Sequence, residues 1–200
     1  NINNLLNKTI DFTTKRVAEL IALCLIFLSI LLLISLISYS PEDPNFIFPE
    51  NTEINNLLGA RGSFTSDMFY QSIGLISLLL PISFFFISIS IIINKKFLQI
   101  VESLFFIISY SIVGTLFFTV YHTETYWLLI NGNNGFIGNL FEETFLVNFI
   151  KLNYKTSYII LIILIFILFL FSVNFKLNSI KPVVLLFSRS RKESPKGVTD

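Results

Sequence analysis

Four long apolar stretches constrain the fold of this chain more than any other feature. They cover residues 17–39, 68–93, 97–120 and 157–175. Each is close to the roughly 20 residues that an α-helix needs to cross a hydrocarbon core about 30 Å thick. Lipid offers the backbone no hydrogen-bond partners, so segments of this length cross it as helices. The sequence therefore predicts an all-α integral membrane protein, built as a four-helix bundle.

The composition supports a membrane environment. Of the 200 residues, 54% are hydrophobic and 14% are charged, whereas soluble domains carry about 25% charged residues. The first stretch exceeds the roughly 7–15 apolar residues of a signal peptide, so we interpret it as a true span. Because the chain begins with Asn1 instead of Met and ends in a polar tail, we expect it to be part of a longer protein.

The placement of Lys and Arg predicts the orientation. Eleven of the 14 basic residues lie before the first span, between spans two and three, or after span four. Because cytoplasmic segments carry the excess of basic residues, both termini are predicted to be cytoplasmic. The predicted organisation is a cytoplasmic segment 1–16, a membrane domain 17–175 with extracytoplasmic loops 40–66 and 121–156, and a basic cytoplasmic linker that starts at 176–200.

Small and hydroxyl residues indicate which helix faces pack together, because they let helices approach closely in lipid. Span three carries such a stripe: Ser111, Gly114, Thr115 and Thr119. Span two carries Gly74 and several serines, and we expect these two stripes to face each other. The alternative is that the serines are simply scattered. Pro81 predicts a kink within span two, and span four, nearly free of small residues, is predicted to be peripheral.

Ionisable residues do not form a recognisable reactive site. Glu19, Asp67 and Glu102 lie near span ends, whereas a transporter would place such groups within the membrane. His122 has no second ligand at metal-binding spacing. The glycine-rich stretch 132–138 lacks the Lys-Ser/Thr pair of a phosphate-binding loop. The sequence therefore predicts no catalytic, cofactor-binding or metal site in this chain.

Four short motifs carry a family resemblance. The first span runs into SYSPEDP at 38–44, and NLLGARG at 56–62 precedes span two. Gly74 and Pro81 follow within that span, and GFIG at 135–138 precedes span four. Their order and spacing resemble those of the N-terminal four-span membrane domain of FtsK-type DNA translocases, the septal motors of bacterial cell division.

The resemblance implies a membrane anchor and septal-targeting domain of a translocase that couples division to chromosome segregation. It places the chain in the bacterial inner membrane at the division septum. The motor, with its ATP and Mg²⁺, would lie outside this chain, which would itself be no enzyme. Implied partners are membrane lipids, other septal proteins, further copies through a hexameric motor, and DNA only through that motor. An anchor for another cytoplasmic machine and a small transporter or channel subunit remain alternatives.

The resemblance also implies structural roles for particular residues. We expect a fixed turn after span one at Pro41, Asp43 and Pro44. Three residues are expected to shape the start of span two: Gly59, Gly62 and Asp67. Of these, Asp67 is predicted to cap the helix N-terminus, where a carboxylate is favourable. Four more are expected in turns or close helix packing: Gly74, Pro81, Gly135 and Gly138.

Overall fold

The computed structural model describes residues 2–44, 53–94, 98–122, 128 and 130–174. Every regular element in this part of the chain is helical, which confirms the all-α prediction. Four helical stretches among these residues are long and apolar enough to cross a membrane: Asn7–Ile37, Gly59–Ile93, Ile100–Tyr121 and Tyr154–Ser172.

Seven α-helices and one 3₁₀ segment form the described part of the chain. In chain order they are α1 (Ile2–Ile37), α2 (Gly59–Ile73), the 3₁₀ segment (Gly74–Leu78), α3 (Leu79–Asn94), α4 (Leu98–Tyr121), α5 (Gly135–Phe141), α6 (Phe145–Leu152) and α7 (Tyr154–Ser172). We call the end formed by the α1–α2 and α4–α7 connections the loop end, and the opposite end the terminal end.

Helix α1 is longer than the span predicted within it. Its 36 residues extend about 54 Å at 1.5 Å per residue, well beyond a core about 30 Å thick. The predicted terminal segment 1–16 is therefore continuous with the first membrane helix from Ile2 onward. Two ion pairs lie along α1 near this segment, Lys15 with Asp11 at 2.7 Å and Arg16 with Glu19 at 2.6 Å.

The second span begins earlier than predicted. Helix α2 starts at Gly59, so the end of the predicted loop 40–66 is helical. The regular α-helix is interrupted by the 3₁₀ segment Gly74–Leu78, which contains Ser77, the residue whose carbonyl a proline at position 81 leaves without its helical partner. Pro81 itself lies in the first turn of α3, where the missing N–H costs no hydrogen bond within α3.

The helices pack chiefly in two pairs, α1 along α3 and α4 along α7. Spans two and three therefore contact each other over a smaller area than the two stripes of small residues predicted. Gly114 of α4 lies against Ile76 of the 3₁₀ segment, and this contact leaves no room for a larger residue at position 114. Most of α7 is exposed, as predicted for span four, and its buried residues are Leu161 and Ser172.

Candidate functional site

The turn that follows α1 is joined to the start of α2. The N–H of Asp43 donates to the Ser40 carbonyl at 3.3 Å, and Pro41 lies within this turn. Pro44 is buried, and its carbonyl accepts the hydroxyl of Ser63 in α2 at 2.8 Å. The structure thus places the three predicted turn residues together and ties them to span two.

The carboxylate of Asp43 holds the other side of the first loop. Its Oδ1 accepts the N–H of Asn55 at 2.7 Å, and its Oδ2 accepts the N–H of Asn56 at 2.9 Å. Asp43 is only 2% exposed, and hydrogen bonds from N–H groups to a carboxylate are stronger than those between neutral groups. These two bonds give each oxygen of the buried side chain a donor.

Asn56 is the central residue of this loop, and the sequence analysis did not single it out as an individual site. Its side-chain nitrogen donates to the carbonyls of Ser35 at 2.9 Å and Ser38 at 3.2 Å. Its side-chain oxygen accepts the N–H of Leu58 at 3.1 Å. The carbonyls at a helix C-terminus lack intrahelical partners, so Asn56 caps α1 from another part of the chain. Asn56 is the first residue of the NLLGARG motif, and its place in that motif was the one sequence feature that pointed to it.

Gly59 and Gly62 have different structural roles. Gly59 has φ +64° with open space around it, so its requirement is conformational. A Cβ on Gly62 would overlap the side chains of Asn56 and Leu58. The Gly62 carbonyl also accepts the hydroxyl of Ser35 at 2.6 Å. Gly62 is therefore needed for the close approach of α1, α2 and the first loop.

The predicted capping role of Asp67 is wrong. The N-cap of α2 is Leu58, without a side-chain cap, and Asp67 lies inside the helix. Its Oδ1 accepts the hydroxyl of Tyr39 and the side-chain nitrogen of Gln71, both at 3.3 Å. Tyr39 lies beyond the last residue of α1, and burial together with the charge of Asp67 raises the pKa of its hydroxyl, which therefore stays protonated.

The second loop interlocks with the break in span two. Gly74 has φ +70°, and a Cβ there would overlap the backbone of Asn133. The carbonyl of Asn133 accepts the N–H of Leu75 at 2.9 Å. Gly135 has φ +66°, and a Cβ there would overlap the backbone of Ile73 and Gly74. Gly74 and Gly135, both expected in turns or close packing, thus lie against each other's segments. The second loop also supplies the hydrogen-bond acceptor for a backbone N–H at the helix break.

The stripe on α4 packs partly against this loop. The hydroxyl of Thr119 donates to the Gly138 carbonyl at 2.9 Å and to the Thr115 carbonyl at 2.8 Å. A Cβ on Gly138 would overlap Thr119. Ser111 is also buried. The stripe thus spans two contacts, with the 3₁₀ segment at Gly114 and with α5 at Thr119.

Gln71 joins the two loops. Its carbonyl and its side-chain oxygen accept the side-chain nitrogen of Asn131 at 3.2 and 3.1 Å, while its own nitrogen donates to Asp67. A continuous chain of hydrogen bonds therefore runs from Tyr39 through α2 to the second loop. The described residues of the loop end form one connected unit, and we take this unit as the candidate functional site.

A second polar cluster lies between α3, α4 and α7. Ser83 Oγ is 3.1 Å from the hydroxyl of Tyr110 and 3.1 Å from that of Ser172. All three residues are fully buried. This cluster could not be predicted from the sequence, because nothing in the spacing of three residues on three helices indicates that they meet.

The described residues include no group of three or more His, Cys, Asp or Glu placed to hold a metal ion. The buried carboxylates Asp43 and Asp67 are engaged by backbone and side-chain donors. The buried hydrogen bonds of the loop end hold the described parts of the two loops in a fixed arrangement at one end of the bundle.

The comparison with protein-family models matched residues 14–183, most of the chain, to the family described as the 4TM region of DNA translocase FtsK/SpoIIIE. This match confirms the resemblance that the four motifs indicated. The comparisons with curated proteins and with solved structures gave no match.

Proposed function

The chain belongs to the family of four-span regions of FtsK/SpoIIIE DNA translocases, and from that premise we propose that it directs such a translocase to the division septum. The family membership makes it a membrane-anchor domain of a multi-pass membrane protein. Our proposal adds the finer role, in which the anchor holds the motor in the bacterial inner membrane where the septum closes and so couples division to chromosome segregation.

The observation that carries the proposal is the connected loop end. Two loops far apart in sequence are joined through Gln71 and Asn131 and through Leu75 and Asn133. A surface that is ordered before binding loses less conformational entropy on binding than a flexible one. A helix bundle that served only to hold a tether would not need such a surface.

The loop end also exposes side chains suited to protein contacts. Leu57 is 78% exposed, although its N–H is held by the hydroxyl of Ser38 at 3.1 Å. Ile54 is also exposed, and so are two acidic residues, Glu53 next to it in the sequence and Glu42 in the turn after α1. We propose that other septal proteins dock on this face, which the excess of basic residues at the opposite end would place outside the cytoplasm.

The remaining parts of the proposal follow from this arrangement. The terminal end would face the cytoplasm and carry the motor beyond this chain. ATP, Mg²⁺ and DNA would bind only to that motor. Holding several motor subunits in one membrane plane raises their effective concentration, which favours a homo-oligomer such as a hexamer.

A domain exchange in the full-length protein tests the septal role. The matched control replaces residues 1–175 by an unrelated four-span anchor with cytoplasmic termini, and both proteins carry the same fluorescent label. We expect the native anchor to concentrate at the septum and the exchanged protein to spread over the membrane, with equal DNA-stimulated ATPase activity. Equal septal enrichment of the two proteins would overturn the targeting role and leave only anchoring.

A further inference from the structure

A groove of about 490 Å³ opens between α1, α2 and α3 on the side of the bundle. Its walls are mostly apolar, with Leu25, Leu28 and Leu32 from α1, Phe69 from α2 and Phe84 from α3. Leu28 is 57% exposed. The groove is thus open to its surroundings, although its wall includes Leu32 of the buried core.

The groove has the length of one membrane leaflet. Along α1 its lining extends from Leu25 to Ser35, which is about 15 Å at 1.5 Å per residue. A hydrocarbon core is about 30 Å thick. Ser35 donates to the Gly62 carbonyl next to the first loop, so the groove runs from mid-membrane to the loop end.

A cation lies at the loop end of the groove. Arg61, adjacent to Gly62, lines it and is exposed. Both ion pairs between described residues lie in α1. Among the described residues, therefore, no carboxylate forms an ion pair with Arg61. A guanidinium binds phosphate oxygens through two parallel hydrogen bonds. The N-terminal turn of α2 adds the positive end of a helix dipole.

We propose that this groove binds an anionic phospholipid of the loop-side leaflet, with an acyl chain between α1 and α3 and the phosphate on Arg61. From mid-membrane to the loop end, the groove presents first an apolar wall and then a cation. A phospholipid presents its acyl chain and its phosphate in the same order. An apolar partner helix would cover the wall but would bring no anionic group to Arg61. This inference does not depend on the septal role.

Native mass spectrometry of the full chain tests the headgroup assignment. The protein is equilibrated with phosphatidylglycerol and phosphatidylcholine of identical acyl chains, and bound lipid is counted. One basic residue near an anionic lipid surface strengthens the binding constant about fivefold. We expect Arg61→Gln to reduce the preference for phosphatidylglycerol by that factor. The control Lys155→Gln removes an exposed cation at the start of α7 and is expected to leave the preference unchanged.

A second pair of variants tests the acyl-chain site. Among the described residues, the Thr65 hydroxyl bonds to the Arg61 carbonyl of its own helix at 2.7 Å, so Thr65→Phe fills the groove without breaking a tertiary hydrogen bond in this part of the chain. We expect it to lose bound lipid of either headgroup. Met68→Phe, on the exposed side of the same helix, is the control and is expected to retain it.

Three outcomes would overturn the proposal. The first is an unchanged lipid preference in Arg61→Gln, or an equal loss in Lys155→Gln. The second is retention of bound lipid by Thr65→Phe. The third is a change in oligomeric mass on filling the groove with no change in bound lipid, which would assign the groove to a second copy of the chain.

Discussion

The side-chain nitrogen of Asn56 lies 2.9 Å from the carbonyl oxygen of Ser35, a residue 21 positions earlier in the chain. This bond caps the C-terminus of α1 with a residue of the first loop. The N–H of the same Asn56 is held by the carboxylate of Asp43. The turn at Asp43 and the C-terminus of α1 are therefore linked through one buried residue, which donates from its backbone to the first and from its side chain to the second.

The first prediction concerns that carboxylate. Asp43→Ala removes the acceptor of two N–H groups, one of them on the buried Asn56, and we expect a loss of about 2 kcal/mol in the free energy of unfolding. Membrane insertion should persist, because the four spans are unchanged. Limited proteolysis of the first loop measures the effect. Glu42→Ala, at an exposed neighbour, is the control, and equal protease resistance of both variants would contradict the predicted turn.

The second prediction separates backbone conformation from close packing. Gly59 and Gly74 both have positive φ, but only at Gly74 would a Cβ overlap backbone atoms. Gly59→Ala should cost about 1 kcal/mol for the left-handed conformation. Gly74→Ala should cost clearly more, because its φ of 70° and ψ of −151° form a region almost restricted to glycine and the second loop must also move. Unfolding by denaturant measures both, and equal losses would contradict the interlock.

The third prediction concerns the buried hydroxyl cluster. Tyr110→Phe removes the hydrogen bond to Ser83, and side-chain hydrogen bonds between membrane helices contribute about 0.6 kcal/mol on average. We expect a loss of that size, measured by unfolding in mixed micelles. A double-mutant cycle with Ser83→Ala should give a coupling energy of the same order. Tyr158→Phe, at a partly exposed ring, is the control, and a coupling energy of zero would show that the bond contributes nothing.

The fourth prediction places α6 at the membrane surface. Val147 and Ile150 are buried, whereas Phe145, Phe149 and Leu152 are 77%, 56% and 79% exposed. An apolar face outside the packed core is typical of a helix at the lipid interface. In a Trp127→Phe background, which removes the one tryptophan of the chain, Phe149→Trp should fluoresce with strong quenching by brominated lipids. Glu143→Trp is the control, and equal quenching of both probes would contradict this placement.

The family motifs located much of the loop end, but not the roles of its residues. Gly62, expected to shape the start of span two, and Gly135, expected in a turn or close packing, both lie where a Cβ would overlap neighbouring atoms. Asp67 is different, because a carboxylate near a helix start predicts a cap only when the helix start is known. Helix α2 begins at Gly59, so Asp67 bonds to Tyr39 instead.

The position of the helix break in span two also depends on a contact that is distant in sequence. Proline is the strongest local signal for a kink, and Pro81 is the proline within that span. A helix can break in lipid only where another group satisfies the freed backbone. That group is the carbonyl of Asn133, and its position near Leu75 depends on the fold of the second loop.

The sequence by itself determined that this is a helical membrane protein with four spans, because hydropathy and segment length act locally against a bilayer of known thickness. The tertiary structure alone decided which polar groups meet. Asn56 with Ser35 and Ser83 with Ser172 are pairs that join distant parts of the chain. Each buried polar group must find a partner, but many serines and asparagines satisfy that condition equally well, and only the packing of the helices selects among them.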